Sequence, residues 1–231
     1  MAKKVRLKVP LARQGKGTND CGPTCASMIV SYYSTKKNVK DVIREVREIG
    51  KKYGLPENSY TYPSLLGIYL IRLGFKVEIV TFNPWLFNYQ DKKSKNMAMR
   101  LKSLLKYWEG RKVAKGPLIP LKLLIDFVNS GGKLDVRVPD RSDIIEEIKK
   151  ERPLIAILTS NFLYKTQELP SFNFHFNVVT GIDKDYVYVN DPIPEESMGG
   201  KRKYLINEFL FGVYASAHGA FDWAALIKIK K

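Results

Sequence analysis

The sequence predicts an α+β fold, with helices in the first part of the chain and an antiparallel sheet in the second. Two observations predict it. Apolar residues recur at helical spacing in segments such as 38–53. After Pro153, short apolar or alternating runs such as 154–158 and 174–182 are typical of strands. With 231 residues, of which 45% are apolar, the chain is long enough to bury a hydrophobic core without disulfides or structural metal ions.

The helices are predicted from periodicity and from their end signals. Pro23 stands where the first turn of a helix accepts proline. Gly54 and Gly74 end the second and third helices, and we expect Ser142 to cap a helix that has Lys149 near its end. The predicted helices span 21–33, 38–53, 62–73, 95–108, 118–129, 142–150 and about 206–214.

The strands follow a different pattern. Segment 154–158 is apolar throughout, which predicts a central strand. Segments 174–182 and 186–189 flank Asp183-Lys184-Asp185, which predicts a hairpin. The remaining predicted strands are 75–82, 134–138 and 223–229.

We expect one domain over 1–231. It would have a helical lobe over about 1–150, with a basic insertion at about 83–116, and a sheet lobe over about 151–231.

The net charge of +16 is unevenly placed. Segment 92–116 holds nine basic residues against one acidic residue, Glu109. Such a segment suits an acidic partner, but no nucleic-acid motif accompanies it, so we expect a peptide or protein rather than nucleic acid. No apolar run is long enough for a transmembrane segment, and the charged N-terminus has no signal-peptide pattern. These features predict a cytoplasmic location.

The supply of reactive side chains is small: two cysteines, Cys21 and Cys25, and two histidines, His175 and His218. A disulfide framework is excluded by count. Cys21 opens the first predicted helix, where unpaired backbone N–H groups and the helix dipole favour the thiolate, which is the nucleophilic form. Gly22 is expected to let the backbone pass close to a substrate. The alternative is a buried structural cysteine, which is how we interpret Cys25.

The predicted strands supply a candidate base for Cys21 and a candidate group to orient that base. Alternation in the predicted strand places His175, Asn177 and Val179 on one face. Asp191 ends the strand that pairs with it, so the hairpin can bring Asp191 beside His175 to orient the imidazole. Both residues also have a purely structural interpretation. His175 can be a sheet histidine whose hydrogen bonds are satisfied, and Asp191 can belong to a turn-forming Asn-Asp-Pro.

Gln14, seven residues before Cys21, completes the candidate set. Its amide can donate to a developing oxyanion together with the Cys21 backbone N–H.

These motifs resemble the double-glycine leader peptidases, family thirty-nine of the cysteine peptidases in the papain-like clan, best known as processing domains of bacteriocin exporters. The resemblance rests on a glutamine followed by Asp-Cys-Gly-Pro-Thr-Cys, then His-Phe-x-Val-Val-x-Gly-Ile-Asp, then Tyr-Val-x-Val-Asn-Asp-Pro. It covers roughly 10–34 and 150–195. It implies a papain-like fold and a peptide-bond hydrolase with no cofactor.

Residue by residue, the resemblance places the nucleophile on Cys21, the base on His175, the orienting acid on Asp191 and the oxyanion glutamine on Gln14. No transporter follows in this sequence, so leader removal coupled to export is not implied.

Three alternatives stay open. A thioester on Cys21 can be passed to an amine, giving acyltransferase or transglutaminase-like chemistry. A peptidase fold without catalysis can bind a partner through its basic face. A metal site can be drawn from Cys21, Cys25 and a histidine such as His218, although structural zinc usually takes four ligands.

Overall fold

The computed structural model has an α+β architecture, which confirms the predicted fold class. Helices cover both faces of one eight-stranded sheet. The structure describes residues 5–33, 37–84, 86–94, 96–111, 118–159, 174–195, 199–217 and 224–231.

The described helices agree closely with the predicted ones. They are α1 (Cys21–Tyr33), α2 (Val39–Lys51), α3 (Pro63–Arg72), α4 (Met97–Gly110), α5 (Leu118–Asn129), α6 (Arg141–Lys149) and α7 (Ile206–Ala215), with a short 3-10 helix at Tyr89–Lys93.

One predicted cap was wrong. The N-cap of α6 is Asp140, whose side chain accepts from the backbone N–H groups of Ser142 and Asp143, while the Asp143 carboxylate accepts from the Asp140 N–H. Ser142 lies inside the first turn. A carboxylate two residues earlier therefore satisfies the free N–H groups that we assigned to the serine.

The strands form a single sheet of mixed direction. They are β1 (Val5–Arg6), β2 (Lys76–Thr81), β3 (Lys133–Val136), β4 (Leu154–Thr159), β5 (Phe174–Ile182), β6 (Tyr186–Asp191), β7 (Gly200–Leu205) and β8 (Ala225–Lys230). Their order is β3-β2-β8-β4-β5-β6-β7, and β1 pairs with β5.

The sheet draws strands from both halves of the chain. β1, β2 and β3 all precede residue 150, and β8 lies between β2 and β4. The β2–β3 pair is parallel and the other pairs are antiparallel. β4 is central, as its uniformly apolar sequence predicted.

The core has a layer on each face of the sheet. Phe176 and Val178 of β5 pack in the cluster that includes α1, α2 and α3, whereas Val179 packs in the cluster with α6 and α7. The predicted alternation of β5 is therefore present, with both faces buried. This gives the strand that carries His175 a rigid position.

A third cluster holds the basic part of the chain. α4 packs on α5 through Leu101, which is fully buried, and through partly buried apolar residues that include Leu104 and Trp108. Lys102 and Lys106 of α4 are exposed. The apolar face predicted for this helix is the face that packs.

Residues 7–14, which we call the N-terminal strap, run along the ends of β5 and β6. Leu7 N–H donates to the Thr180 carbonyl at 2.7 Å. The Asn190 side chain donates to the Val9 carbonyl at 3.0 Å. The strap ends next to Asp191 and is followed by the loop 15–20 that leads to α1.

No helix among the described residues is both long enough and apolar enough to span a bilayer.

Candidate active site

Cys21 is the first residue of α1 and is 9% exposed. The preceding residue, Asp20, forms an ion pair with Arg47 of α2 at 2.8 Å. The Asp20 carbonyl also accepts from the Thr24 N–H at 2.9 Å, which closes the first turn of α1. The start of the helix is thus fixed from two sides, and the position of Cys21 with it. Nothing in the sequence pattern indicated the contribution of Arg47.

Gly22 has a different role from the one expected. It is buried, and a Cβ at this position would lie 3.1 Å from Cβ of Thr61 and 3.3 Å from Cδ1 of Leu66. The glycine therefore allows α1 to pack against the segment that leads into α3. We expected it to admit a substrate instead, and the close neighbours are side chains of the protein itself.

His175 and Asp191 lie together in the structure. His175 is the second residue of β5 and Asp191 the last of β6. The Nε2 atom of His175 is 2.8 Å from Oδ1 of Asp191, across 16 residues of chain. Asp191 is fully buried, and its Oδ1 also accepts from the Ile193 N–H at 3.0 Å. The hairpin brings this pair together as its sequence predicted.

Cys21 is the other partner of His175. Burial of the ring acts to lower its pKa, but hydrogen bonds with Asp191 and with Cys21 outweigh this effect and raise the pKa of His175 from 6.5 to about 10. Because Nε2 faces Asp191, Nδ1 is the nitrogen left for Cys21. This arrangement favours the protonated, imidazolium form of the His175 ring.

Cys25 lies one turn further along α1 and is fully buried. Burial raises its pKa well above the ordinary value, and the negative charges of Cys21 and Asp191 raise it further. Cys25 packs in the same core cluster as Met28 and Ile29. The two cysteines are both free thiols in very different surroundings.

Gln14 reaches the site through its backbone. Its N–H donates to the Pro192 carbonyl at 2.8 Å, next to Asp191. Its side-chain Nε2 donates to the Thr18 carbonyl at 3.0 Å, within the loop that leads to Cys21. The amide nitrogen has a second hydrogen that this bond leaves unused.

His218 lies outside the described residues, as does Trp223 of the last predicted strand. Within the part of the chain that the structure describes, no three of the His, Cys, Asp and Glu side chains are grouped so as to hold a metal ion.

The fold brings a cysteine at the start of a helix together with a histidine and an acid on neighbouring antiparallel strands. Comparison with known proteins adds a family match. Residues 125–220 match the family model described as "Peptidase_C39 like family". This match confirms the predicted resemblance to the double-glycine peptidases. It includes His175 and Asp191, whereas Cys21 precedes it.

Three solved structures are similar over almost the whole chain. The peptidase domain of Streptococcus ComA, a bi-functional ABC transporter, is 13% identical, with 95% of this chain and 96% of that chain covered and a TM-score of 0.44. A double glycine motif protease from an AMS/PCAT transporter, in complex with the leader peptide, is 16% identical, with 100% and 99% covered and a TM-score of 0.46. A putative C39-like peptidase from Bacillus anthracis is 12% identical, with 99% and 98% covered and a TM-score of 0.48. No curated protein matches the chain.

Proposed function

We propose that the protein is a cysteine peptidase that hydrolyses a peptide bond, with Cys21 as nucleophile, His175 as general acid and base, and Asp191 as the residue that orients His175. The observation that carries the proposal is the position of the His175 ring, which is 2.8 Å from Asp191 through Nε2 and hydrogen-bonded to Cys21. A buried histidine between a carboxylate and a thiol at a helix start is the arrangement that activates a thiol.

The proposed reaction has two halves. The Cys21 thiolate attacks the scissile carbonyl carbon, and the carbonyl oxygen becomes an oxyanion. The imidazolium of His175 gives its proton to the leaving amine as the C–N bond breaks, which leaves a thioester on Cys21. His175 then takes a proton from water, which attacks the thioester, and the thiolate is released with the carboxylic acid product.

Gln14 and the Cys21 backbone N–H are the proposed oxyanion donors. The strap holds Gln14 beside Pro192, and its amide has a hydrogen to spare after the bond to Thr18. Donors fixed before the reaction cost no reorganisation when the charge develops.

The proposed substrate is a peptide or protein, and the proposed location is the cytoplasm, where a free thiol at Cys21 stays reduced. The exposed lysines of the basic segment 92–116 suit an acidic region of such a substrate. Because the motifs resemble those of double-glycine leader peptidases, peptides that contain a double-glycine motif form the first panel to test.

The first experiment measures alkylation of each cysteine by iodoacetamide, followed by peptide mass spectrometry. We expect Cys21 to react at least tenfold faster than Cys25, because the pKa of the Cys25 thiol is raised by burial. His175→Ala should remove most of that difference. His218→Ala, which changes the only other histidine of the sequence, is the matched control and should leave it unchanged.

Equal rates at both cysteines, or a Cys21 rate that does not depend on His175, would contradict the proposal.

A peptide panel then separates hydrolysis from acyl transfer. Products containing a free carboxylate, unchanged when an amine is added, support hydrolysis. Incorporation of the amine would instead assign the acyltransferase reaction.

A further inference from the structure

A cavity of about 410 Å³ lies at the end of α1 that is remote from Cys21. Tyr33, the last residue of α1, donates from its hydroxyl to the Ile229 carbonyl at 3.1 Å, and Ile229 lines the cavity. With a rise of 1.5 Å per residue, the 13-residue helix separates its two ends by roughly 18 Å. The cavity is therefore separate from the candidate active site.

Half of the residues that line the cavity are basic, and two, Glu78 and Glu147, are acidic. Alternate residues of β2 (Lys76, Glu78) and of β8 (Lys228, Lys230) line it, and the largely buried Val77 and Ile229 between them also border it. Its cationic lining residues are Lys76, Lys133, Arg152, Lys228 and Lys230.

Three of these cations already have acidic partners. Lys133 pairs with Glu78 at 2.7 Å, Arg152 with Glu147 at 2.7 Å, and Lys228 with Asp143 at 2.6 Å. Lys76 and Lys230 differ, because no acidic side chain among the described residues pairs with either.

Lys76 and Lys230 are also direct neighbours. The register of the antiparallel β2–β8 pair places them opposite each other, and Glu78 opposite Lys228. Like charges at directly opposed positions destabilise a sheet, and an acid at either place would remove the repulsion. A bound anion between the two ammonium groups removes it as well.

We propose that this cavity binds a small phosphorylated ligand that carries at least two phosphate groups, held between Lys76 and Lys230. The volume lies within the range of small-molecule sites. Lysine is a common phosphate ligand as a point charge, and adjacent phosphates place two negative charges within the span of a cross-strand pair. The other three lining cations are neutralised by their acidic partners, so the net positive charge of the cavity comes from Lys76 and Lys230.

The test is isothermal titration of the intact protein with inorganic pyrophosphate and with ATP at 150 mM salt, and it needs no peptidase activity. We expect one-to-one binding that Lys76→Gln with Lys230→Gln weakens at least tenfold. The matched control, Lys122→Gln with Lys184→Gln, removes the same charge from exposed positions outside the cavity and should change the affinity less than twofold.

The unliganded protein gives a second readout. The Lys76 and Lys230 variant should melt at a higher temperature than the wild type, since it loses a repulsive pair, and the single Lys230→Gln variant should show part of both effects. Equal weakening by the two double variants, no pyrophosphate or ATP binding, or binding of a polyglutamate peptide alone would overturn the proposal.

Discussion

At the scale of single residues, the fold strongly shifts the protonation of His175. Its pKa is raised to about 10 although burial acts in the opposite direction, because Asp191 and Cys21 both bond to the ring. A raised pKa means that the fold favours the imidazolium. The stability this contributes is complete below the ordinary value of 6.5 and is lost as the pH rises through about 10.

We therefore expect the imidazole protons of His175 to titrate in NMR spectra with a midpoint near 10. Asp191→Asn removes the partner on Nε2 and should lower this midpoint by at least one unit. With only two histidines in the sequence, His218→Ala assigns the signal without ambiguity. A midpoint close to 6.5 in the wild type would show that the ring lacks both partners.

The candidate site was predictable where its residues belong to regular elements. Cys21 opens a periodic helix, and the short turn between their strands related His175 to Asp191 by spacing. The contacts of Gln14 and Arg47 could not be predicted in this way. The Gln14 contacts depend on an irregular strap, and the Arg47 contact on the packing of α2 against the start of α1.

At the scale of elements, sequence patterns predicted the helices and strands that have an apolar face and missed strands that lack one. β7 was not predicted because it reads Gly-Lys-Arg-Lys-Tyr-Leu, and only Gly200 and Tyr204 of it are buried. It is the end strand of the sheet, where charged side chains are tolerated on the exposed face. β1 was missed because two residues carry no periodicity.

The correction at the start of α6 can be tested directly. Asp140→Ala removes the acceptor for two backbone N–H groups and should lower the free energy of unfolding by about 1 kcal/mol. Ser142→Ala is the matched control: the Ser142 hydroxyl donates to the Asp140 carboxylate but caps no N–H group, so its loss should cost well below that of Asp140→Ala. Urea denaturation of the two variants gives the comparison, and a larger loss for Ser142→Ala would restore the serine as the cap.

At the scale of the whole molecule, Asp143 connects three elements. It accepts from Arg137, just after β3, and from Lys228 of β8, while it belongs to α6. Burial acts to raise the pKa of its carboxyl, but the hydrogen bonds with Arg137 and Lys228 outweigh burial and lower it to about 2. The stability from this lowered pKa is present above the ordinary value of 3.8 and is lost as the pH falls through about 2.

We expect the lowered pKa of the Asp143 carboxyl to contribute about 2 kcal/mol to the free energy of unfolding at neutral pH. The difference in unfolding free energy between wild type and Asp143→Asn should be largest near pH 7 and should shrink on approach to pH 2. Asp185→Asn, at the exposed β5–β6 turn, is the control and should show no such trend. A difference between wild type and Asp143→Asn that is constant with pH would show that the carboxyl is not held ionised by the fold.

The position of β8 has a consequence for how the protein is made on the ribosome. Residues 225–230 bridge β2 and β4, so the sheet has two unconnected parts until those residues have been synthesised. Until then, β2 and β4 each expose an unpaired edge to other nascent chains. His175 and Asp191 are synthesised before this point. Translation that stalls before residue 225 would therefore yield a chain that contains every candidate catalytic residue but lacks the strand that joins the halves of its sheet.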